Sequence, residues 1–368
     1  MRRRTPLWAV SSLLGFGSLL VFACGEKAET DESTSAPETT ASETETGGNM
    51  ECDTSSPNGL MWCVDAQAYE EHLIFVAEPR APQSSHWAAV QDYAQTHLEA
   101  YGYTVERRPY DTGLNILATR PGTDLADEVV LISAHYDSRG CGDAACTIPP
   151  EECNGADDNA TGVAAALELA RVLSTVSTRR TVTIALWDEE ERGLVGAKAF
   201  VETLPTTGEN IHLVINWDSI GYMSEAPNSQ QLPNGFDLVF PDEVAEVQAN
   251  ELRADFIAVI GDDSPVATKA VETFEGLGET TGLSAIALIL IDGLATSPLA
   301  SDLRRSDHAP FWDIGVPAVF ITDSTEFRND HYHCGAGQDA ISDLTMEFAV
   351  QVTQASVAAA ADAAELAG

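Results

Sequence analysis

Positive charge is scarce in this sequence. Lys and Arg number 19 against 58 Asp and Glu, a formal net charge of -39. That balance argues against a nucleic acid or an anionic membrane surface as a direct partner, because both repel it. Aromatic residues make up 7% of the chain and methionines number 5, so both are assigned to the core rather than to a stacking or binding surface. No internal repeat appears, which removes the solenoid and propeller classes. No phosphate loop appears either: Gly276, Gly278 and Gly282 are followed by no Lys-Ser/Thr pair. Glu26–Met50 contains no aromatic and no branched aliphatic residue and therefore cannot bury enough apolar surface to fold.

What is present divides the chain into three expected parts. Arg2, Arg3 and Arg4 precede an apolar run, Leu7–Ala23, which reads as a secretory signal; the run lies at the short limit for a membrane span. It closes on Val21-Phe22-Ala23-Cys24-Gly25, a bacterial lipobox pattern that marks Cys24 for lipidation. Because Phe22 is not small, an ordinary signal-peptidase site is the alternative. The expected organisation is a signal peptide at 1–23, a lipidated Cys24 with a disordered acidic tether to 58, and one domain at 59–368. Membrane contact is then through the lipid alone, at the cell envelope.

Of 7 cysteines, setting Cys24 aside leaves Cys52, Cys63, Cys141, Cys146, Cys153 and Cys334. An even set in an exported chain favours disulfides over a zinc–thiolate site. Cys52–Cys63 is expected, since both lie in one short Pro/Gly segment. Cys334 is expected to join one of Cys141, Cys146 and Cys153.

From about Gly59 the texture is globular. Ser84–Tyr101 reads as an amphipathic helix stopped by Gly102. Tyr103–Arg107 and Leu114–Thr119 read as strands. Glu128–Ala134, Thr181–Trp187, Leu213–Trp217 and Ala318–Thr322 are near-continuous apolar runs, suited to central strands buried on both faces. Helical patterns lie between them at Gly162–Leu173 and Leu194–Leu204. Strand–helix alternation predicts an α/β fold with a central, mostly parallel (mixed) sheet flanked by helices.

Three of those runs end in polar residues: His135 and Asp137, then Asp188 to Glu191, then Asp218. Open α/β sheets bind ligands beyond the carboxyl ends of their strands. Adjacent strands would bring this His and these acids to one crevice. Imidazole and carboxylate together suit zinc. The His-x-Asp step places Asp137 on the strand face of His135, where it can orient the ring. The turn "CNGADDNATGVAAALELARVL" adds more acid. Asp157, Asn159, Thr161, Gly162 and Glu168 fall at EF-hand calcium spacing. The Ala/Leu-rich helix from Gly162 carries Glu168 away, however, and the calcium reading fails on that context.

The blocks "HYDS", "NGADDNATG", "DEEERGLVGAKAF", "NWDSIG", "SDHAPFWDIGVPA" and "NDHYH" occur in an order that resembles the co-catalytic zinc exopeptidases. That family includes bacterial leucyl-type aminopeptidases, glutamate carboxypeptidases and glutaminyl cyclases. The resemblance covers about Glu128 to Asp339 and little of Met223–Leu303. It implies two zinc ions per chain. His135 and Asp218 resemble the terminal ligands of one, Glu191 and His333 those of the other, and Asp158 the carboxylate between them. Glu190 matches the general base, Asp137 the acid that orients His135, and Tyr332 a tyrosine that assists the oxyanion. The Gly193-Leu194 pair sets this register and leaves Glu189 as the extra acid. His308 is read as structural and His331 as exposed. "GDDS" at 261–264 is read as a turn after a strand.

The implied activity is removal of N-terminal residues from peptides with a free N-terminus. A carboxypeptidase or glutaminyl cyclase on the same scaffold is the alternative. A calcium-binding or inactive surface lipoprotein is a more remote one. Side-chain specificity and oligomeric state are left open.

Overall fold

A computed structural model describes residues 51–140 and 148–368. The expected signal segment, Cys24, the tether up to residue 50, Cys141 and Cys146 lie outside the described residues. The described residues from Glu51 to Gly368 fall in one compact unit. It begins ahead of the boundary expected at Gly59, so residues 51–58 belong to the domain and not to the tether. The cause is local. Cys52 is bonded to Cys63. Ser56 caps the turn Pro57–Leu60 by accepting from the Gly59 N–H, and Leu60 is fully buried.

The sheet has eight strands: β1 (Thr104–Pro109), β2 (Leu114–Arg120), β3 (Leu125–His135), β4 (Arg180–Trp187), β5 (Asn210–Trp217), β6 (Phe256–Asp262), β7 (Ser284–Leu290) and β8 (Ala318–Thr322). Their order is β1-β2-β4-β3-β5-β8-β6-β7. The four apolar runs occupy the middle, β4-β3-β5-β8, and pair in parallel. β1, β2 and β4 pair antiparallel, as do β6 and β8, so the sheet is mixed. β3 starts earlier than expected because Leu125 already pairs with Arg180 ahead of a bulge.

Helices cover both faces, which is why the central strands are apolar without alternation. One face packs against Ala66–Val76, Ser85–Ala100, Gly162–Leu173, Pro265–Thr281 and Met346–Ala364. The other carries Val195–Thr207 and Pro241–Ala249, with Phe200, Phe311 and Trp312 against Trp187. Ser84 caps Ser85–Ala100 by accepting from the Trp87 N–H. Gly102, at φ 85°, ends it in the left-handed region. Val195–Thr207 runs past the expected Leu204 to Gly208 at φ 72°. Trp187 and Trp217 are fully buried. Among the described residues no helix is long and apolar enough to cross a membrane.

Register does the remaining work. His135 of β3 is level with Trp187 of β4, and Ser133 with Asn216 of β5. The residues that follow, Asp188 to Glu191 and Asp218, therefore emerge beside His135 at one edge of the sheet.

Candidate metal centre

His135 is buried at the tip of β3. Its Nδ1 lies 3.4 Å from Asp137 Oδ1 and 3.2 Å from the Asp137 carbonyl. Asp137 Oδ1 also accepts from the Glu190 N–H at 3.1 Å. One carboxylate thus orients the imidazole and pins the turn after β4. The other ring nitrogen, Nε2, faces Asp158 Oδ1 at 3.0 Å and Asp218 Oδ1 at 3.6 Å.

Asp158 sits in the turn before helix Gly162–Leu173. Gly155 enters that turn at φ 56°, and a Cβ there would meet the Asp158 carbonyl at 2.3 Å, so only glycine fits. The Asp158–Asn159 peptide is cis. Asn159 Nδ2 donates to the Trp217 carbonyl at 2.7 Å and its Oδ1 accepts from the Gly162 N–H at 3.1 Å. Asn159 therefore ties the turn to β5 and caps the helix. Asp158 Oδ2 reaches His333 Nε2 at 3.1 Å. The two oxygens of one carboxylate face two imidazoles.

The acids after β4 separate by backbone strain. Glu189 takes φ 54°, which turns the side chains before and after it in different directions. Asp188 accepts from Trp87 Nε1 and the Leu114 N–H, away from the centre. Glu189 is held by Thr112, Tyr110 and Arg192. Glu191 faces inward, with Oε2 2.9 Å from His333 Nε2. Ligand-type atoms of His135, Glu190 and Asp218 lie within 4.8 Å of one another, as do those of Asp158, Glu191 and His333. Glu190, expected as a base, is thus as close to His135 and Asp218 as a ligand would be.

The electrostatics call for cations. Burial, then the Asp158 charge, lifts the Glu191 carboxyl to about 7. Burial, then Asp218, Glu191 and Asp307, holds Glu190 well above its ordinary range against the pull of His135. Burial pulls His333 down, yet Glu191 and Asp158 outweigh it and lift the ring to about 10. Burial would raise Asp158, but contacts with His135 and His333 take it below its ordinary range. His135 Nε2 and Glu191 Oε1 are buried without a hydrogen-bond partner. Two N/O donor groups, one containing Asp158 and the other reached by it through His135 Nε2, fit zinc ions. Cys153 and Cys334 are bonded to each other and supply no thiolate.

The remaining sequence readings find their places. Tyr332 stacks on His333 with centroids 3.9 Å apart, and its hydroxyl is 3.4 Å from Arg305 Nη2. His308 is buried, stacks on Phe320 and contacts the Leu303 carbonyl through Nε2 at 2.9 Å. His331 pairs with Asp343 at 2.8 Å, away from the centre. Glu168 accepts from the Asp65 N–H and pairs with Arg171, so it takes no part in a calcium loop with Asp157. Ser264 caps helix Pro265–Thr281 at the end of the "GDDS" turn.

Four features escaped the sequence reading. Asp307 is buried with both carboxylate oxygens unpartnered. Its only sequence signal was its place in the quoted "SDHAPF" block. Asp339 accepts from the Asp157 and Asp158 N–H groups at 3.0 Å and supports the acidic turn from behind. Arg80 binds the carbonyls of the same turn. The fourth feature is an apolar cleft of about 90 Å³ that opens beside Asp218 and Tyr332. It is floored by Phe256, Ala258, Ile260 and Phe320 and walled by Phe236 and Leu303. Much of its wall comes from Met223–Leu303, where no motif pointed.

Residues 115–270 match the model of peptidase family M28. A probable zinc metalloprotease from Leptosphaeria maculans is 29% identical over 248 residues, 66% of this chain and 52% of that protein. The chain spans about half the length of the curated relatives it matches, from 47% to 58% in the fungal and Escherichia coli proteins. Among solved structures, the LapA aminopeptidase of Legionella pneumophila aligns over 84% of this chain and 75% of its own, with TM-score 0.61 and 17% identity. An aminopeptidase from Aneurinibacillus sp. strain AM-1 aligns over 85% and 97%, with TM-score 0.61 and 14% identity. The fold of this chain is the one these aminopeptidases share.

Proposed function

From a chain with an M28 peptidase segment on an aminopeptidase fold, we propose a zinc-dependent aminopeptidase that holds two zinc ions. The observation that carries this is Asp158, with one oxygen on His135 and the other on His333. His135, Asp218 and one oxygen of Asp158 would hold the first ion. Glu191, His333 and the other oxygen would hold the second. Ions held there would polarise a scissile carbonyl and supply a nucleophile near neutral pH.

The protein's own groups do the rest. Glu190 takes the proton of the attacking water and returns it to the leaving amine. Burial and then the neighbouring acids raise the Glu190 carboxyl, and a cation held among them would favour its ionised form. Asp137 fixes the His135 ring and the Glu190 backbone together, so ligand and base keep one relative position. Tyr332, stacked on His333, would serve as an oxyanion donor.

Charge favours an amine end over a carboxylate end. Asp218, Glu243 and Asp302 line the cleft, and its Arg305 is ion-paired with Glu326. A free α-amine meets acids there, whereas a C-terminal carboxylate would need an unpaired cation. A panel of aminoacyl chromogenic amides, N-blocked peptides and glutaminyl peptides tests this. Cleavage of the free-amine amides is expected. Turnover confined to N-blocked peptides would make the protein a carboxypeptidase.

The same proposal sets the enzyme at the cell envelope, on the support of Leu7–Ala23, the lipobox at Cys24 and the paired cysteines. Cys24→Ala should release the protein from the membrane fraction. An unchanged fractionation would remove the lipid anchor from the proposal.

A further inference from the structure

Arg80 lies ahead of the matched family segment and outside every motif of the sequence. It is fully buried. A buried guanidinium costs several kcal/mol of desolvation unless its donors are used, so its place needs a cause. Its side-chain hydrogen bonds go to main-chain carbonyls. Nη1 donates to Asn154, and at longer range to Val76 at 3.3 Å and Glu78 at 3.4 Å. Nη2 donates to Gly155 at 2.8 Å.

These carbonyls belong to two unlike places. Val76 ends helix Ala66–Val76, where carbonyls lack helical partners. Asn154 and Gly155 form the left-handed entry to the turn that carries Asp158. A third place is stitched in through the backbone. The Arg80 N–H donates to Ser138 Oγ at 3.0 Å, and that hydroxyl donates to the Cys153 carbonyl at 3.2 Å. Ser138 follows Asp137 on the chain that has just left His135. Arg80 thus fastens the tip of β3 to the turn bearing Asp158. Asp339 holds the opposite side of that turn through the Asp157 and Asp158 N–H groups. Burial draws the Arg80 pKa down only to about 10, because Asp158, Asp339, Asp137 and Glu191 surround it, so it stays charged.

We propose that Arg80 is a positioning residue for the carboxylate between the two metal sites: its fork on the Asn154 and Gly155 carbonyls aims Asp158 at His135 and His333 together. The inference rests on the dizinc reading. It adds a residue from a part of the chain to which neither motif nor family match extends.

Arg80→Lys keeps the charge and loses the two-carbonyl fork. Arg80→Gln loses both. Arg120→Lys is the control: Arg120 also grips carbonyls, those of Leu173 and Val176, at the far end of helix Gly162–Leu173. Purified full-length proteins are titrated with zinc against a chromogenic chelator, with thermal melts in parallel. Both Arg80 variants should lose zinc affinity by roughly 10–100-fold, the range seen when an outer-shell partner of a metal ligand is removed. Arg120→Lys should lower the melting temperature without changing zinc affinity. Should Arg80→Gln fail to fold, Arg80→Lys decides. Wild-type affinity in Arg80→Lys, or a loss matched by Arg120→Lys, overturns the proposal. Fewer than two zinc ions in the wild type contradicts the dizinc reading instead, and the variant-to-wild-type ratio still decides the role of Arg80.

Discussion

Cys334, the residue after His333, is disulfide-bonded to Cys153, which follows the short turn Pro150–Glu152 and leads into the turn of Asp158. The covalent bond thus joins the backbones that carry two expected ligands of one zinc. Both sulfurs are buried. The bridge closes a span of 181 residues, and long closures stabilise a fold by about 2–5 kcal/mol. Cys153→Ala/Cys334→Ala should lower the urea midpoint accordingly and release one zinc ion at a chelator concentration that leaves the wild type loaded. Equal metal retention in both proteins would mean that the bridge serves the fold alone.

Glu190 and Glu191 are adjacent, buried and assigned different tasks. Glu190→Gln should keep two zinc ions and lose roughly 10²–10⁴-fold in kcat, the span of general acid–base contributions. Glu191→Gln should instead lower zinc content. Because Glu190 lies within 4.8 Å of His135 and Asp218, this pair of variants decides the assignment. Metal loss in Glu190→Gln would make Glu190 a ligand.

The cleft beside Asp218 offers a test of selectivity. Ala258 of β6 lies on its floor. Ala258→Phe should cut kcat/KM at least ~10-fold for leucyl and phenylalanyl amides and leave alanyl amides close to wild type, since filling space for a few methylenes is worth that much. Uniform loss across the panel would place substrate side chains elsewhere.

His308 carries a pH dependence distinct from the metal centre. Burial, against the help of the Leu303 carbonyl, lowers its pKa to about 3. The unfolded ring titrates near ~6.5, so below that pH the unfolded state binds the extra proton. Stability from this group is therefore complete above ~6.5 and drains as pH falls toward the folded value, by on the order of 1 kcal/mol per pH unit. Urea melts of wild type and His308→Gln between those limits should converge in slope difference as predicted, the variant being flatter. Parallel curves would remove His308 from the acid response.

Much of this was legible because it is written in short-range patterns. The apolar runs of β3, β4, β5 and β8 announce strands covered on both faces, and they occupy the centre of the sheet. The polar residues that end β3, β4 and β5 gather because parallel strands in register bring their carboxyl ends to one edge. Helix Gly162–Leu173 follows from its Ala/Leu pattern. Other features depend on pairing that a linear pattern does not carry. Leu125 joins β3 through a bulge with Arg180, and the antiparallel pairings of β1 with β2, β2 with β4 and β6 with β8 follow from strand order. The choice of Cys153 as partner of Cys334 follows from where two distant loops meet. Arg80 and Asp339 act through carbonyls and amides of the turn bearing Asp158, which no local pattern marks, and Asp307 was signalled only by its place in the "SDHAPF" block. The cleft is built from faces of β6, β7 and β8 that meet only in the folded sheet.

Zinc counting on the active protein tests the central claim most directly. Metal content per chain is measured by plasma mass spectrometry on protein that cleaves an aminoacyl amide, before and after stepwise chelation. Two zinc ions per chain, with activity falling as they leave and returning when they are restored, is the predicted result. One zinc or none in fully active protein would contradict the account of Asp158 as the carboxylate shared by two metals.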